Sequence, residues 1–200
     1  MADYIKKLMP RFRYGVIHPR AHEDPMRGNC YQLYHIVPLD VMEVATGLGI
    51  ENYTVEAVEK AIGNYWPCVE RLVKEKVDLI IFSGAPISAA LTRPRVLELL
   101  RQTKEKYGIP ADAPIEAVIA AMKHLGLNKL TVGSRWADKV NDAIIRYFAE
   151  AGIEVVHMTK RNQWAADAFA MTLEEGFNTA VDVGREAAAA APQSDSIFCP

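Results

Sequence analysis

The residues able to do acid–base or carboxylate chemistry fall in four short stretches, each directly after an apolar run: His18-Pro19-Arg20, Ser83-Gly84-Ala85-Pro86, Ser134-Arg135-Trp136 and Cys199-Pro200. A thiol whose pKa is lowered by a helix terminus or a neighbouring cation is reactive, which makes Cys199 a candidate; a lone cysteine at a strand end also reads as buried packing. Gly84 precedes a predicted helix, where exposed N–H groups and the helix dipole suit a carboxylate, and a purely structural turn fits the same residues. His18 is read as a polar group of the pocket. His18, His22, Glu23 and Asp24 have metal-ligand side chains, but their segment is not helical, so a spacing of four does not bring the imidazoles to one face and no metal is expected. Cys30, in a loop, and Cys68, on a helix, read as structural, and His35, His124 and His157 read as surface or packing residues.

These stretches need elements that hold them at one edge. Phe12 to His18 is a β-prone run stopped by Pro19, and Leu39 to Ala45 is a second apolar run closed by Thr46-Gly47-Leu48-Gly49. From Val55 to Lys74 the apolar positions recur at three and four, predicting one helix capped by Thr54 and kinked at Pro67. Val77 to Phe82 is a nearly continuous apolar run, as a parallel strand covered on both faces should be. A helical region around Val96 to Lys106 and a connector from Gly108 to Pro114 follow. Beyond it the spacing predicts helix Ile115–His124, strand Lys129–Gly133, helix Asp138–Ala151, strand Ile153–His157, helix Leu173–Ala190 and strand Ser196–Cys199. Thr172 and Glu175 have the spacing of a capping box at the start of the last helix.

Alternation of this kind predicts an α/β protein with parallel sheets. Asp78 and Asp195 each precede an apolar strand, so the chain reads as two similar half-domains, 1–112 and 113–200, with a small-acid site in the cleft between them. Ligands of open parallel sheets bind beyond the carboxyl ends of the strands, where the four polar stretches lie. Pro200 falls at the carboxyl edge of a strand, so the second half is expected to be truncated and the native protein to continue.

Bulk properties limit the partners. A formal net charge of −2 and 24% charged residues offer no clustered positive field for nucleic acid or an anionic membrane. No stretch approaches the length of a membrane span, and Met1-Ala2-Asp3-Tyr4 opens no export signal. Three scattered cysteines make no disulfide framework, which together predicts a cytoplasmic protein, a monomer or small homo-oligomer. The chain has no glycine-rich nucleotide fingerprint, phosphate loop or nucleophile elbow, and no cofactor is expected.

The loops taken together resemble the aspartate/glutamate racemase superfamily, in its branch of arylmalonate decarboxylases and maleate cis-trans isomerases. The resemblance runs from Tyr14-Gly15-Val16-Ile17-His18-Pro19 through Thr46-Gly47-Leu48-Gly49 and Trp136-Ala137-Asp138-Lys139-Val140-Asn141 to Ala187–Asp195. It implies two Rossmann-like half-domains related by a pseudo-two-fold, with the active site between them. It also implies cofactor-independent chemistry beside a substrate carboxylate, in an oxyanion pocket formed by the first-half loop. Racemases of the superfamily use one cysteine per half; decarboxylases have glycine at the first position, and Gly84 stands there.

Three departures matter. Ala85 and Pro86 replace hydroxyl residues of the oxyanion pocket, and Pro86 also removes an N–H. Trp136 stands in place of a tyrosine and can donate but not accept a hydrogen bond. The offset from Asp78 to Gly84, carried to Asp195, puts the second catalytic position one residue beyond Pro200, so Cys199 fills that role only if its strand is two residues shorter. The expected reaction is decarboxylation of a substituted malonate or related small carboxylic acid through an enediolate, with His18, Pro19, Ser83, Gly84, Ala85, Pro86 and Trp136 around the substrate, Leu48 and Tyr53 on an apolar wall, and Cys199, or a residue beyond Pro200, as acid. A maleate-type isomerase or a racemase is the alternative, and a small-acid binding protein without catalysis is a third reading.

Overall fold

The structure, a computed structural model, describes residues 9–20, 33–50, 54–163, 167 and 170–200. Its first sheet has four parallel strands in the order β2-β1-β3-β4, comprising β1 (Phe12–His18), β2 (Val41–Gly47), β3 (Leu79–Phe82) and β4 (Ala111–Asp112). The second has three, β6-β5-β7, formed by β5 (Lys129–Trp136), β6 (Glu154–Gln163) and β7 (Ser196–Phe198), again all parallel. Helices α1 (Val55–Ala61), α2 (Tyr65–Lys74), α3 (Ala85–Leu91), α4 (Arg93–Tyr107), α5 (Pro114–His124), α6 (Asp138–Glu150) and α7 (Leu173–Ala190) make the crossovers that parallel pairing requires.

The two sheets repeat one hydrogen-bonding plan. Asp78 N–H donates to the Arg13 carbonyl at 2.7 Å while the Asp78 carboxylate accepts from Arg13 N–H at 2.7 Å. Asp195 does the same with Lys129, both contacts at 3.0 Å. Each aspartate thereby starts the strand that pairs with the central strand of its sheet. Isoleucine follows two residues later in both, yet Ile80 is fully buried and Ile197 is 49% exposed, because β3 is covered on its outer edge by β4 and β7 has no described strand beyond it.

The predicted helix 55–74 is two. Thr54 caps α1 through Ala57 N–H at 3.2 Å, as expected, but a 3₁₀ turn at Ile62–Asn64 ends that helix before Pro67 is reached. Pro67 lies in the first turn of α2, where a missing N–H costs no intrahelical bond, so the break precedes the proline rather than kinking around it. Strand β2 lies two residues later than its apolar run suggests, and β4 is a two-residue strand inside what reads as a connector. Strands β5 and β6 both run past their apolar portions, to Trp136 and Gln163, because each continues to pair with the other across register shifts. The capping box of α7 is present in full, with Thr172 Oγ1 accepting from Glu175 N–H at 3.2 Å and the Glu175 carboxylate accepting from Thr172 N–H at 2.7 Å.

The core lies between the sheets and their helices. Tyr65, Leu72, Ile80, Phe82 and Ile87 fill it in the first half, and Ile144, Tyr147 and Phe148 in the second. Among the described residues no helix is long and apolar enough to cross a membrane.

Candidate functional site

Two of the four polar stretches meet at the carboxyl ends of the strands of the first sheet. Strand β1 is central in its sheet, and its last residue, His18, is 5% exposed. The neighbouring segments fold over it: Leu48 N–H donates to the His18 carbonyl at 2.9 Å, Ile50 N–H to the Pro19 carbonyl at 2.8 Å, and Ser83 N–H to the Ile17 carbonyl at 3.0 Å. His18, Pro19, Leu48, Ser83 and Gly84 therefore form one continuous edge.

At its middle is Gly84, with φ +104°, a conformation open to glycine and costly for other residues. A Cβ there would come within 2.9 Å of Pro19 Cγ and 3.0 Å of Ile87 Cγ1. The Gly84 carbonyl accepts from the N–H groups of Ile87 and Ser88, both at 3.0 Å, so the Gly84 and Ala85 N–H groups precede the first intrahelical bond of α3. Pro86 supplies no N–H but fits the first turn, and its side chain is buried with that of Ile87. Ser83 is 9% exposed.

The matching turn in the second half is built differently. Trp136, the last residue of β5, is 6% exposed, and the Arg135 guanidinium lies 4.9 Å from the centre of its ring. Ser134 Oγ donates to Asn141 Oδ1 at 2.6 Å, Asn141 Nδ2–H donates to the Trp136 carbonyl at 2.8 Å, and Trp136 N–H donates to Ser134 Oγ at 3.1 Å. This closed circuit fixes the Trp136 backbone on α6. Helix α3, which starts at Gly84, packs on α6, which starts just after Trp136, and so the two turns belong to the same interface. Asn141 was visible in the sequence only as the end of a motif; a buried amide four residues into a helix carries no periodic signal of its own.

Cys199 follows β7. Counted from the matching aspartates Asp78 and Asp195, β7 ends one residue earlier than β3 does, and Cys199 stands level with Phe82, two residues before the position matching Gly84. Its Sγ lies 3.2 Å from where a Cβ on Gly133 would stand and 3.4 Å from one on Gly184, between β5 and α7. Burial pushes the thiol's pKa up, against a smaller opposing effect of a hydrogen bond with the Gly133 backbone, which keeps it protonated at neutral pH.

The other candidates separate cleanly. Cys68 is buried under β2, where Sγ–H donates to the Gly47 carbonyl at 3.4 Å and Sγ accepts from Thr46 Oγ1 at 3.6 Å. His157 faces Thr159 Oγ1 at 3.1 Å, while His35, His124 and Arg20 are exposed. His22, Glu23, Asp24, Cys30 and Tyr53 lie outside the described residues. Among the described residues no group of three or more His, Cys, Asp and Glu side chains is placed to hold a metal ion.

One group was missed. Glu43, on β2, has a side chain only 4% exposed; its carboxylate accepts from the Tyr14 hydroxyl, and Oε1 stands 3.4 Å from His18 Nε2. An acid within the apolar run Val41-Met42-Glu43-Val44 was the available signal.

Comparison with known proteins shows the family and the fold. The family model described as arylmalonate decarboxylase matches residues 15–200. The arylmalonate decarboxylase of Bordetella bronchiseptica is 24% identical over 159 residues; the match covers 80% of this chain but only 65% of that protein's length. Among solved structures, a liganded double mutant of arylmalonate decarboxylase superposes with a TM-score of 0.79 at 20% identity, covering 94% of this chain and 77% of the other. The maleate cis-trans isomerase of Nocardia farcinica, solved with a covalently bound succinylcysteine intermediate, gives 0.77 at 9% identity, covering 94% and 76%.

Proposed function

The chain belongs to the arylmalonate decarboxylase family, and from that premise we propose that it is a cofactor-independent lyase that removes carbon dioxide from a substituted malonate or related small acid. The observation that carries this reading is the Gly84 turn, whose positive φ and close approach to Pro19 and Ile87 admit no side chain and whose N–H groups precede the first intrahelical bonds of α3. Loss of carbon dioxide leaves an enediolate, and the chemistry needs donors aimed at that charge before it forms. Gly84 and Ala85 N–H groups, the Ser83 hydroxyl and the Trp136 indole N–H are assigned that role; each such donor is typically worth about 3 to 4 kcal/mol in the transition state. His18 and Pro19 line the first-half wall and Pro86 shapes the turn, with Leu48 on the apolar side, where exclusion of water raises the energy of the reacting carboxylate.

The enediolate must then take up a proton. Cys199, an exposed residue whose thiol pKa is raised, is proposed as the acid. The halves are taken to divide at 112/113, between β4 and α5.

Two other readings each have an observation behind them. Isomerisation of a maleate-type acid is supported by the comparable fold likeness to maleate isomerases, and two-thiol racemisation is opposed by Gly84. A small-acid binding protein is supported by Ala85 and Pro86, which bring no hydroxyl to the turn.

The test is carbon dioxide release from a panel of aryl- and alkylmalonates by the wild-type chain and by Cys199→Ala. Release that collapses in the variant establishes decarboxylation with Cys199 as acid, and release that persists moves the acid elsewhere. α-Proton exchange without carbon dioxide release would replace the lyase by an isomerase, and tight acid binding without either would leave a binding protein.

A further inference from the structure

The proposed reaction makes no use of the carboxylate buried beneath the site. Side chains alternate along β1, and the Cβ direction of Gly15 meets Leu72 of α2, so Tyr14, Val16 and His18 project from the opposite face of the sheet. Glu43 stands directly opposite Tyr14 in the β1–β2 register, and its side chain leans along the strands until it meets both Tyr14 and His18. Glu43 and His18 side chains are 4% and 7% exposed, which removes the solvent that would otherwise loosen such a pair.

The hydrogen-bonding inventory restricts what these three groups can be. An ionised carboxylate only accepts. The Tyr14 hydroxyl donates to Oε2, and Oε1, 3.4 Å from His18 Nε2, is complementary to a ring nitrogen that carries hydrogen. The Glu43 backbone is held too, since its N–H donates to the Tyr34 hydroxyl at 3.2 Å. A carboxylate fixed from its backbone and from one oxygen is a rigid acceptor for the imidazole. The same ring ends the central strand, whose next residue, Pro19, backs Gly84.

We propose that Glu43, braced by Tyr14, is a positioning residue that holds His18 as its Nε2–H form in a single orientation at the edge of the acid site. The proposal rests on the reading of His18 as a polar group lining the acid site. It makes the residue pair Glu43–His18, rather than His18 alone, the determinant of how firmly the substrate acid is held.

The test separates the positioning claim from the functional one. Long-range ¹H–¹⁵N spectra of histidine-labelled protein report the His18 tautomer without any substrate. Wild type is expected to show Nε2–H alone, Glu43→Gln to keep it because an amide oxygen still accepts, and Glu43→Leu, close to the same volume, to show a tautomer mixture. An unchanged His18 pattern in Glu43→Leu overturns the proposal. Phenylmalonate is the probe for the second arm, by KM if it is turned over and by calorimetric Kd if it is not. Glu43→Leu should weaken it about tenfold with kcat changed less than threefold, and Glu43→Gln should restore most of the loss. Equal affinity in wild type and Glu43→Leu overturns the positioning role even if the tautomer shifts. Failure of wild type to bind phenylmalonate or any other acid of the panel sinks the proposed function instead, and the tautomer spectra then decide the Glu43–His18 claim alone.

Discussion

Gly84 is the residue at which conformation and chemistry coincide. Its positive φ and the proximity of Pro19 leave no room for a side chain, so Gly84→Ala is expected to lower stability by about 2 kcal/mol, measurable by urea denaturation, and to lower any turnover in parallel. A Gly84→Cys change, which would supply the first thiol of a racemase, carries the same strain; proton exchange gained in spite of it would place a donor across from Gly84. For Cys199 the direction of its pKa gives a separate check. Cys199 is an exposed residue, but its raised pKa leaves little thiolate at pH 7, so iodoacetamide should react slowly there and faster as pH rises; alkylation at pH 7 faster than that of an unfolded cysteine would contradict the raised pKa.

At the scale of single elements, caps and buried hydroxyls carry most of what can be tested. Thr172→Ala removes one half of the capping box of α7 and should cost about 1 kcal/mol in thermal or urea unfolding. The Glu175 carboxyl is held below its ordinary range by the Thr172 backbone N–H and then by the Thr172 hydroxyl. Its contribution is present above the unfolded carboxyl pKa and fades as pH falls through the lowered value, so Thr172→Ala should cost less at acid pH than at neutral pH. Helix α2 starts at Tyr65, whose ring is fully buried and whose hydroxyl lies 2.8 Å from Thr103 Oγ1. Burial pushes this phenol up to about 12, a shift that the Thr103 contact only partly opposes. Because the folded value is raised, the associated stability is complete below the ordinary tyrosine pKa and is lost as pH climbs through it toward 12. Tyr65→Phe should flatten that alkaline decline while costing about 1 kcal/mol at pH 7; an unaltered alkaline limb would show that another group governs it. Tyr147 on α6 shifts the same way, chiefly by burial and then by the Glu116 carboxylate.

For the whole molecule the relevant question is what keeps the two halves in register around the site. Helix α3 packs on α6, and beside that contact Arg93, first residue of α4, donates to both carboxylate oxygens of Glu116 on α5, at 2.8 and 3.1 Å. Its backbone N–H donates to the Glu150 carboxylate at 3.2 Å and its guanidinium to the Glu150 carbonyl at 3.4 Å, at the end of α6. With side chains of Arg93 and Glu116 only 19% and 11% exposed, removing one partner strands the other charge. Arg93→Met is therefore expected to cost about 3 kcal/mol in urea unfolding. A cost below about 1 kcal/mol would show that the apolar α3–α6 contact alone holds the halves together.

Alternating apolar runs and helical spacings were enough to determine two parallel α/β units, the strand Phe12–His18, the cap at Thr54 and the capping box at Thr172, because each depends on residues near one another in the chain. Order and spacing of the loop motifs likewise pointed to the family, and Gly84 was legible as a turn. Interactions between distant segments were not legible. The break before Pro67, the extension of β5 through Trp136, the Ser134–Asn141–Trp136 circuit and the burial of Glu43 against Tyr14 and His18 all depend on which strands pair and which helices pack over them. The register of the strand before Cys199 was of the same kind, since it is set by hydrogen bonds such as those of Asp195 to Lys129, on a neighbouring strand 66 residues away.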